Sequence, residues 1–238
     1  MKTVWLYLLI VSSLGCIRLR RCDRSTFKET RILSDGGQAK IYIVNSRGTA
    51  YIEKRFNHMR AFRVELEALS CIPRSSSIVK AICQDPDRRV IIMERIEGKK
   101  PRRLNFAQLK ELVWTIEVIH RSGYVHGDVK PSNIIVRPNG RIVLIDFGLA
   151  RKKGRLNGRF GTADYMAPEV SAGRPGHNVS LDWWSVGITA QRLLFSKSNL
   201  SRDLIGRMLE RNPSRRLARC INLPNHPFFS WIKVINNQ

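Results

Sequence analysis

Residues 126–150, HGDVKPSNIIVRPNGRIVLIDFGLA, constrain the fold of this chain more than any other stretch. Alternating apolar residues on both sides of the tripeptide PNG predict a β-hairpin. A hairpin returns the chain to its starting point, so Asp128, Asn133 and Asp146 are expected to meet at one end of it. Two carboxylates and an amide there would suit Mg²⁺, which prefers oxygen ligands and usually shares them with phosphates. Lys130 could neutralise phosphoryl oxygens beside them.

The hydrophobic pattern divides most of the chain into two halves. Before residue 96, short β-like runs and one helical stretch predict a small sheet with one helix. After residue 104, apolar residues recur mostly at helical spacing and predict a larger, mainly helical half. The β-like runs are 41–44, 50–53 and 90–94, and the helical stretches are 59–69, 105–120, 181–195 and 202–210.

A short polar stretch separates these halves. IEGKKPRR, residues 96–103, combines a glycine, a proline and charges, and it is predicted to be a hinge. The predicted organisation is therefore an N-terminal segment (1–24), a β-rich lobe (25–95), the hinge (96–103) and a helical lobe (104–238).

The composition is strongly basic. Lys and Arg total 42 against 19 Asp and Glu, which gives a formal net charge of +23. Such a surface attracts polyanions. Nucleic-acid association and a solvated basic surface are both consistent with this charge.

The N-terminus carries the apolar run VWLYLLIVSSLGCI, followed by Arg18, Arg20, Arg21 and Arg24. Its length is more typical of a signal-peptide core than of a membrane-spanning helix. Three interpretations stay open: a membrane-associated segment, a signal peptide, and an element packed on the domain.

The five cysteines show no CxxC pair, and no His cluster stands at metal-ligand spacing. We therefore predict neither a zinc site nor a disulfide framework. A reducing compartment, cytoplasm or nucleus, fits best.

Five segments in a fixed order resemble the signature of eukaryotic-type protein kinases. Together they cover most of residues 27–231, and the resemblance implies an α+β, bilobal protein-kinase-like fold with a small β-rich N-lobe and a reduced, mainly α-helical C-lobe. The motifs are HGDVKPSN, DFG at 146–148, GTADYMAPEV with APE at 167–169, DWWSVG at 182–187 and RNPSRRL at 211–217.

The resemblance implies catalytic roles for the polar residues of the hairpin region. Asp128 corresponds to the catalytic base and Lys130 to the group that touches the γ-phosphate. Asn133 and Asp146 correspond to the magnesium ligands. ATP and Mg²⁺ are the implied cofactors.

The resemblance also implies contacts to ATP in the N-lobe. Lys54 corresponds to the lysine that holds the α and β phosphates, and Glu65 to its ion-pair partner, with Glu67 as the alternative. The residues expected to bind the nucleotide are Leu33, Gly36, Ile41, Lys54, Met93, Glu94, Ile96 and Ile135.

Further motif residues take structural roles in this comparison. Thr162 is expected near Asp128 and Lys130, and Asp182 is expected to bind backbone of the catalytic loop. Glu169 and Arg216 are expected to form a buried ion pair.

The phosphate-covering loop departs from the family pattern. Against G-x-G-x-x-G this chain has Ser34, Gly36 and Ala39, so only the middle glycine is kept. Glycines let the backbone approach phosphates closely, and weakened ATP binding is therefore expected.

A second departure concerns activation. Gly127 replaces the arginine that usually binds a phosphate on the activation loop. Residues 149–161, here called the activation segment, contain no Ser, Thr or Tyr. The two absences predict an enzyme that needs no activation-loop phosphorylation.

The helical lobe is also shortened between Gly187 and Arg202. In this respect the chain resembles compact kinases of large DNA viruses, which would place it in a host cell. Membrane association through residues 1–24 stays open.

The leading hypothesis is an ATP- and Mg²⁺-dependent protein serine/threonine kinase, since Lys130 and the pair Gly161–Thr162 resemble that branch. The basic residues of the activation segment favour acidic substrates or phosphorylated neighbours if they face them, and a solvated run of charges is equally consistent with the sequence. The alternative is a non-catalytic kinase-like module that binds another kinase or nucleic acid.

Overall fold

A computed structural model describes residues 16–156, 160–174, 176–195 and 198–230, excluding the side chains of 155, 156 and 176–178. The N-terminal apolar run lies almost entirely outside these ranges. Within them, no helix is both long and apolar enough to cross a membrane.

The small lobe is a five-stranded antiparallel sheet with one helix. Its elements are β1 (Lys28–Asp35), β2 (Ala39–Ser46), β3 (Thr49–Phe56), α1 (Met59–Cys71), β4 (Ala81–Asp85) and β5 (Val90–Glu94). The strand order in the sheet is β1-β2-β3-β5-β4. A two-residue turn of Arg47 and Gly48 joins β2 to β3, and both residues have positive φ, as tight hairpins require.

The large lobe is mainly helical and begins with α2 (Phe106–Arg121). A capping box of Asn105 and Gln108 starts this helix, because each side chain bonds the other's backbone N–H. The later helices are α3 (Pro168–Ser171), α4 (Asn178–Leu193), α5 (Asn199–Met208) and α6 (Pro213–Arg219).

In the described part of the chain, three pairs of short strands lie in the large lobe. β7 (Ile134–Val136) pairs with β8 (Ile142–Leu144), which is the hairpin predicted around PNG. The other pairs are β6 (Tyr124–Val125) with β9 (Arg151–Lys152), and β10 (Arg155–Leu156) with β11 (Gly176–His177).

One apolar core continues through both lobes. α2 contributes Leu109, Leu112, Val113 and Ile116 at helical spacing, and all are fully buried. Burying each such side chain stabilises the fold by about 1.5–3 kcal/mol. The predicted α+β fold, with a sheet-based N-lobe and a helical C-lobe, is confirmed.

A buried ion pair fixes the end of the helical lobe. Arg216 has no exposed surface, contacts the carboxylate of Glu169, and donates to the carbonyls of Ser180 and Glu210 at 2.8 and 2.6 Å. A buried charge is tolerated only when it is paired and hydrogen-bonded in this way.

The prediction of no disulfides was wrong. Cys16 bonds Cys71, and Cys22 bonds Cys83, over sequence separations of 55 and 61 residues. Spacing along the chain could not show this, because the pairs form only when residues 16–22 pack along α1 and β4. Disulfides persist in oxidising compartments, so the cysteines no longer support the expected reducing compartment. The localisation stays a prediction.

Candidate active site

A cavity of about 390 Å³ lies between the two lobes. Seven of the eight residues predicted to bind the nucleotide line it, namely Leu33, Ile41, Lys54, Met93, Glu94, Ile96 and Ile135. Gly36 lies in an adjoining cavity with Asp128, Lys130 and Thr162. An apolar slot that opens onto a polar end suits a flat base attached to phosphates.

Sequence reasoning missed several residues of the same cavity. Ile52, Val79 and Ile145 add to its apolar walls, and Lys100 and Ser132 lie at its mouth. Apolar residues inside a β-rich pattern carry no signal for a ligand. Lys100 follows Lys99 in the predicted hinge, where nothing in the sequence distinguished one lysine from the other.

Lys54 forms the centre of a charged cluster. β3 directs it into the cleft, where its Nζ lies 2.5 Å from Glu65 Oε2 and 2.8 Å from Asp146 Oδ1. Burial alone would lower the pKa of Lys54, but the two carboxylates outweigh it and raise that pKa. Lys54 is therefore a cation at any physiological pH.

Of the two glutamates considered for α1, Glu65 contacts Lys54. Glu65 is fully buried, and this burial raises its pKa against the opposing effect of Lys54. Glu67 instead contacts Tyr124 and Lys152 on the large lobe, at 3.2 and 2.8 Å.

Asp128 is held by three neighbours on the large lobe. Its Oδ1 accepts from the backbone N–H and the hydroxyl of Thr162, at 3.1 and 2.7 Å. Its Oδ2 lies 2.7 Å from Lys130 Nζ and 3.1 Å from Asn133 Nδ2. Lys130 also donates to Thr162 at 2.6 Å, so these side chains form one network.

The loop behind Asp128 is fixed by a buried carboxylate. Asp182 on α4 accepts from the backbone N–H groups of His126 and Gly127, both at 2.8 Å, and lies 2.9 Å from His120 Nε2. Burial would raise the pKa of Asp182, but these partners lower it. The loop is thereby attached to the core of the large lobe.

His126 packs between this loop and the DFG motif. Its ring meets Phe147 edge-on, with centroids 4.8 Å apart. Burial lowers the pKa of His126 and outweighs the nearby Asp182, Asp146 and Asp128. The neutral ring then accepts from the Asp128 N–H through Nδ1 and donates to the Ile145 carbonyl through Nε2.

Gly127 occupies a position that excludes a side chain. Its φ is +80°, and a Cβ atom would lie 2.6 Å from the carbonyl oxygen of Leu149. The loop and the start of the activation segment are therefore in direct backbone contact. Gly127 therefore has a structural role in addition to replacing an arginine, because it permits this backbone contact.

Asn133 and Asp146 fit the expected magnesium site. The backbone N–H of Ile145 donates to the Asn133 carbonyl, so the hairpin brings the two residues together. Lys54 lowers the pKa of Asp146 despite its burial, which keeps it an anion. No cluster of three His, Cys, Asp or Glu able to hold a metal occurs in the described ranges, so phosphates and water would complete the shell.

The loop that is expected to cover phosphates is a tight turn, and Lys40 and Asp35 form an ion pair across its ends at 2.8 Å. Asn57 Nδ2 donates to the carbonyls of Gly36 and Gly37 at 3.3 and 2.9 Å, and its backbone N–H donates to the Gln38 carbonyl at 3.0 Å. Sequence reasoning missed Asn57, because its position beyond β3 places it outside every motif.

A model of the protein kinase domain family matches residues 36–202. The chain therefore belongs to the protein kinase domain family.

Proteins similar to this chain include serine/threonine-protein kinases of plants and yeast. The chain is 27% identical to the serine/threonine-protein kinase AtPK2/AtPK19 of Arabidopsis thaliana, over 88% of this chain and 55% of the relative. It is 28% identical to YPK2/YKR2 of Saccharomyces cerevisiae, over 82% and 36%. It is 34% identical to human Citron Rho-interacting kinase, over 57% and 7%. The chain thus spans about half the length of the first relative and less of the others.

Proposed function

We propose that this chain transfers the γ-phosphoryl group of ATP to Ser or Thr of protein substrates, without phosphorylation of its own activation segment. The observation that carries the proposal is the contact of Lys54 with Glu65 and Asp146, formed while residue 127 is glycine. This contact supports an active arrangement that forms without the arginine that a phosphate would bind.

In the proposed reaction, Asp128 orients the acceptor hydroxyl and takes its proton as the new O–P bond forms and the bond to ADP breaks. Lys130 lies beside Asp128 and offsets charge on the transferring group, while Lys54 holds the remaining phosphates. Mg²⁺, held by Asn133 and Asp146, would neutralise negative charge on the phosphates.

The test is transfer of labelled phosphate to protein acceptors in the presence of ATP and Mg²⁺. Asp128→Asn keeps the size of the side chain and should lower kcat at least about 100-fold. Full activity in that variant would refute the assignment. Stabilisation by ATP and Mg²⁺ without any transfer would instead favour the non-catalytic module.

A separate measurement tests whether the activity is independent of phosphorylation of the activation segment. Phosphatase treatment of the purified protein should leave kcat unchanged, and mass spectrometry should find residues 149–161 unmodified. A loss of activity on phosphatase treatment would contradict this part of the proposal.

We also propose acidic acceptors, and Lys100 supports this substrate class. It lies at the mouth of the cavity, and no ion pair to it is present in the described part of the chain. Burial lowers the pKa of Lys100 despite the attraction of Asp146. An anionic group on the substrate would stabilise this cation.

Lys100→Glu should reduce kcat/KM for a peptide with acidic flanks about five- to tenfold relative to one with basic flanks. Lys99→Glu makes the same charge change one residue away, outside the cavity lining. Comparable shifts in both variants would show a general effect of charge and would count against a specific role for Lys100.

A further inference from the structure

Residues 16–24, here called the strap, run along the back of the small lobe. The backbone N–H of Ile17 donates to Ser70 at 2.8 Å, at the end of α1. Farther along, Gln84 donates to Arg20 and accepts from Cys22, both at 3.0 Å, on β4. Leu19 is only 8% exposed and belongs to the main core. The strap therefore joins α1 to β4.

Each end of the strap is also covalently attached. Cys16 bonds Cys71, the last residue of α1, with Cα atoms 4.2 Å apart. Cys22 bonds Cys83 in β4, with Cα atoms 5.1 Å apart. The first disulfide thus ties the strap to the helix that carries Glu65.

α1 has little stabilisation of its own at its ends. Its N-cap residue, His58, makes no side-chain capping bond, and its first turn contains no acidic residue. Its last turn contains no basic residue. A helix of this kind depends on tertiary attachment for its position. The Cys16–Cys71 bond is such an attachment, and it lies less than two turns from Glu65.

The two disulfides differ in access. Cys16 is exposed and Cys71 is half-buried, whereas Cys22 is half-buried and Cys83 is 1% exposed. Thiol–disulfide exchange needs an incoming thiolate to reach a sulfur atom. A reductant should therefore open Cys16–Cys71 before Cys22–Cys83.

We propose that Cys16–Cys71 is a redox site that controls the kinase activity, with the oxidised form active. The co-reactant is a dithiol reductant, and this inference rests on the proposed function. One thiolate of the reductant attacks a sulfur of the Cys16–Cys71 bond, which forms a mixed disulfide with one cysteine and releases the other as a thiol. The second thiolate of the reductant then attacks the mixed disulfide and releases the remaining cysteine. Cys16 and Cys71 gain two electrons and two protons, and the reductant becomes a cyclic disulfide.

Reduction removes the covalent link between the strap and the C-terminal end of α1, and the Ile17–Ser70 hydrogen bond remains. This end of the helix is then held less firmly, so Glu65 contacts Lys54 for a smaller fraction of the time. The oxidised state is then coupled to the active arrangement, and couplings of this kind usually change activity about five- to 150-fold. In a compartment rich in reduced dithiols, the enzyme would be mostly inactive.

The test uses the full chain, purified without reductant and assayed before and after dithiothreitol. Wild-type activity should fall at least about fivefold and return on re-oxidation. The double variant Cys16→Ser/Cys71→Ser should have low activity, and dithiothreitol should not change it. Cys22→Ser/Cys83→Ser and Cys220→Ser should keep the response, and equal activity of oxidised and reduced wild type would overturn the proposal.

Two further measurements separate this role from a general loss of stability. In Glu65→Gln, reduction should have little additional effect on activity, because the substitution has already changed the Lys54–Glu65 contact that reduction weakens. Amide exchange over 59–71 should accelerate on reduction, whether or not the protein transfers phosphate. An oxidised protein with no activity but with this exchange response would refute the proposed function alone, whereas unchanged exchange would refute the redox site.

Discussion

At the scale of single residues, Gly127 occupies a position where any side chain would collide with the start of the activation segment. Its missing side chain allows the catalytic loop to contact the Leu149 carbonyl. Any larger residue would separate the loop from the activation segment. The usual arginine is therefore incompatible with this local packing, and restoring it should not restore control by phosphorylation.

Gly127→Ala should destabilise the fold through strain and through contact with Leu149. Positive φ costs an alanine about 1–2 kcal/mol, and the steric clash adds about 1–3 kcal/mol. Gly48→Ala is the matched control, since Gly48 has the same φ of +80° and no atom within 4 Å of its Cβ position. Urea unfolding of both variants measures the difference, and equal losses would show that the Leu149 contact is unimportant.

His126 should make stability depend on pH. Its folded pKa lies below the unfolded value of about 6.5. As pH falls from about 7 to 5, the unfolded chain therefore binds more protons than the folded chain, and the free energy of unfolding decreases.

His126→Gln should show a smaller loss of stability over this pH range than the wild type, whatever its absolute stability. His58→Gln, at an exposed position, is the control. Urea midpoints between about pH 5 and 8 provide the measurement. An unchanged pH slope in His126→Gln would mean that the buried ring does not titrate with unfolding.

At the scale of secondary-structure elements, the β1–β2 turn is held by Asn57, a residue that lies outside the turn. Asn57, beyond β3, bonds the carbonyls of Gly36 and Gly37 and fixes the turn. A loop held in this way loses less freedom when a ligand binds. The expected weakening of ATP binding is thus opposed by this attachment.

Asn57→Ala should raise KM for ATP about fivefold, which corresponds to about 1 kcal/mol of lost hydrogen bonding, with a smaller effect on kcat. Asn45→Ala is the control, because Asn45 fixes the opposite end of β2 by accepting from Gly48 N–H at 3.0 Å. A rise in KM in both variants would indicate a general effect of the sheet.

Elements with strong periodicity or turn signals were predictable from sequence. The hairpin of β7 and β8 follows from PNG, and α2 follows from its apolar spacing. β1 and β4 were not predicted, because β1 is exposed along its whole length and the run at 81–85 has no clear alternation. Their pairing with β2 and β5 is a tertiary effect that overrides local pattern.

At the scale of the whole molecule, the lobes meet where the sequence placed its polar motifs. The structure brings Lys54, Glu65 and Asp146 together from β3, α1 and the segment after β8. The linear spacing of Asn133 and Asp146 predicted part of this geometry. The position of Lys100 and the disulfide partners required the folded chain, since neither carries a local signal.

The charge of +23 should also act on the molecule as a whole. Like charges repel one another in the compact state, and salt screens this repulsion. Raising NaCl from 0.1 to 1 M shortens the Debye length from about 10 to about 3 Å and so weakens the repulsion. Tm should rise by about 2–4 °C for each kcal/mol by which the free energy of unfolding increases.

Lys28→Glu/Arg31→Glu changes two exposed residues of β1 and lowers the charge from +23 to +19. This variant should show a smaller rise in Tm with salt than the wild type. A fall in wild-type Tm over the same range would mean that attractive ion pairs outweigh repulsion. The association with nucleic acid and the likeness to compact viral kinases stay predictions.

The two disulfides have a consequence for cleavage of the chain. They close overlapping covalent rings over residues 16–71 and 22–83, and the exposed turn at Arg47 lies within both. A protease that cuts after Arg47 would therefore leave two fragments joined through sulfur. The nicked protein would migrate as one chain on a non-reducing gel and as two on a reducing gel. The backbone of the small lobe can thus be cut while both of its parts stay covalently connected to the large lobe.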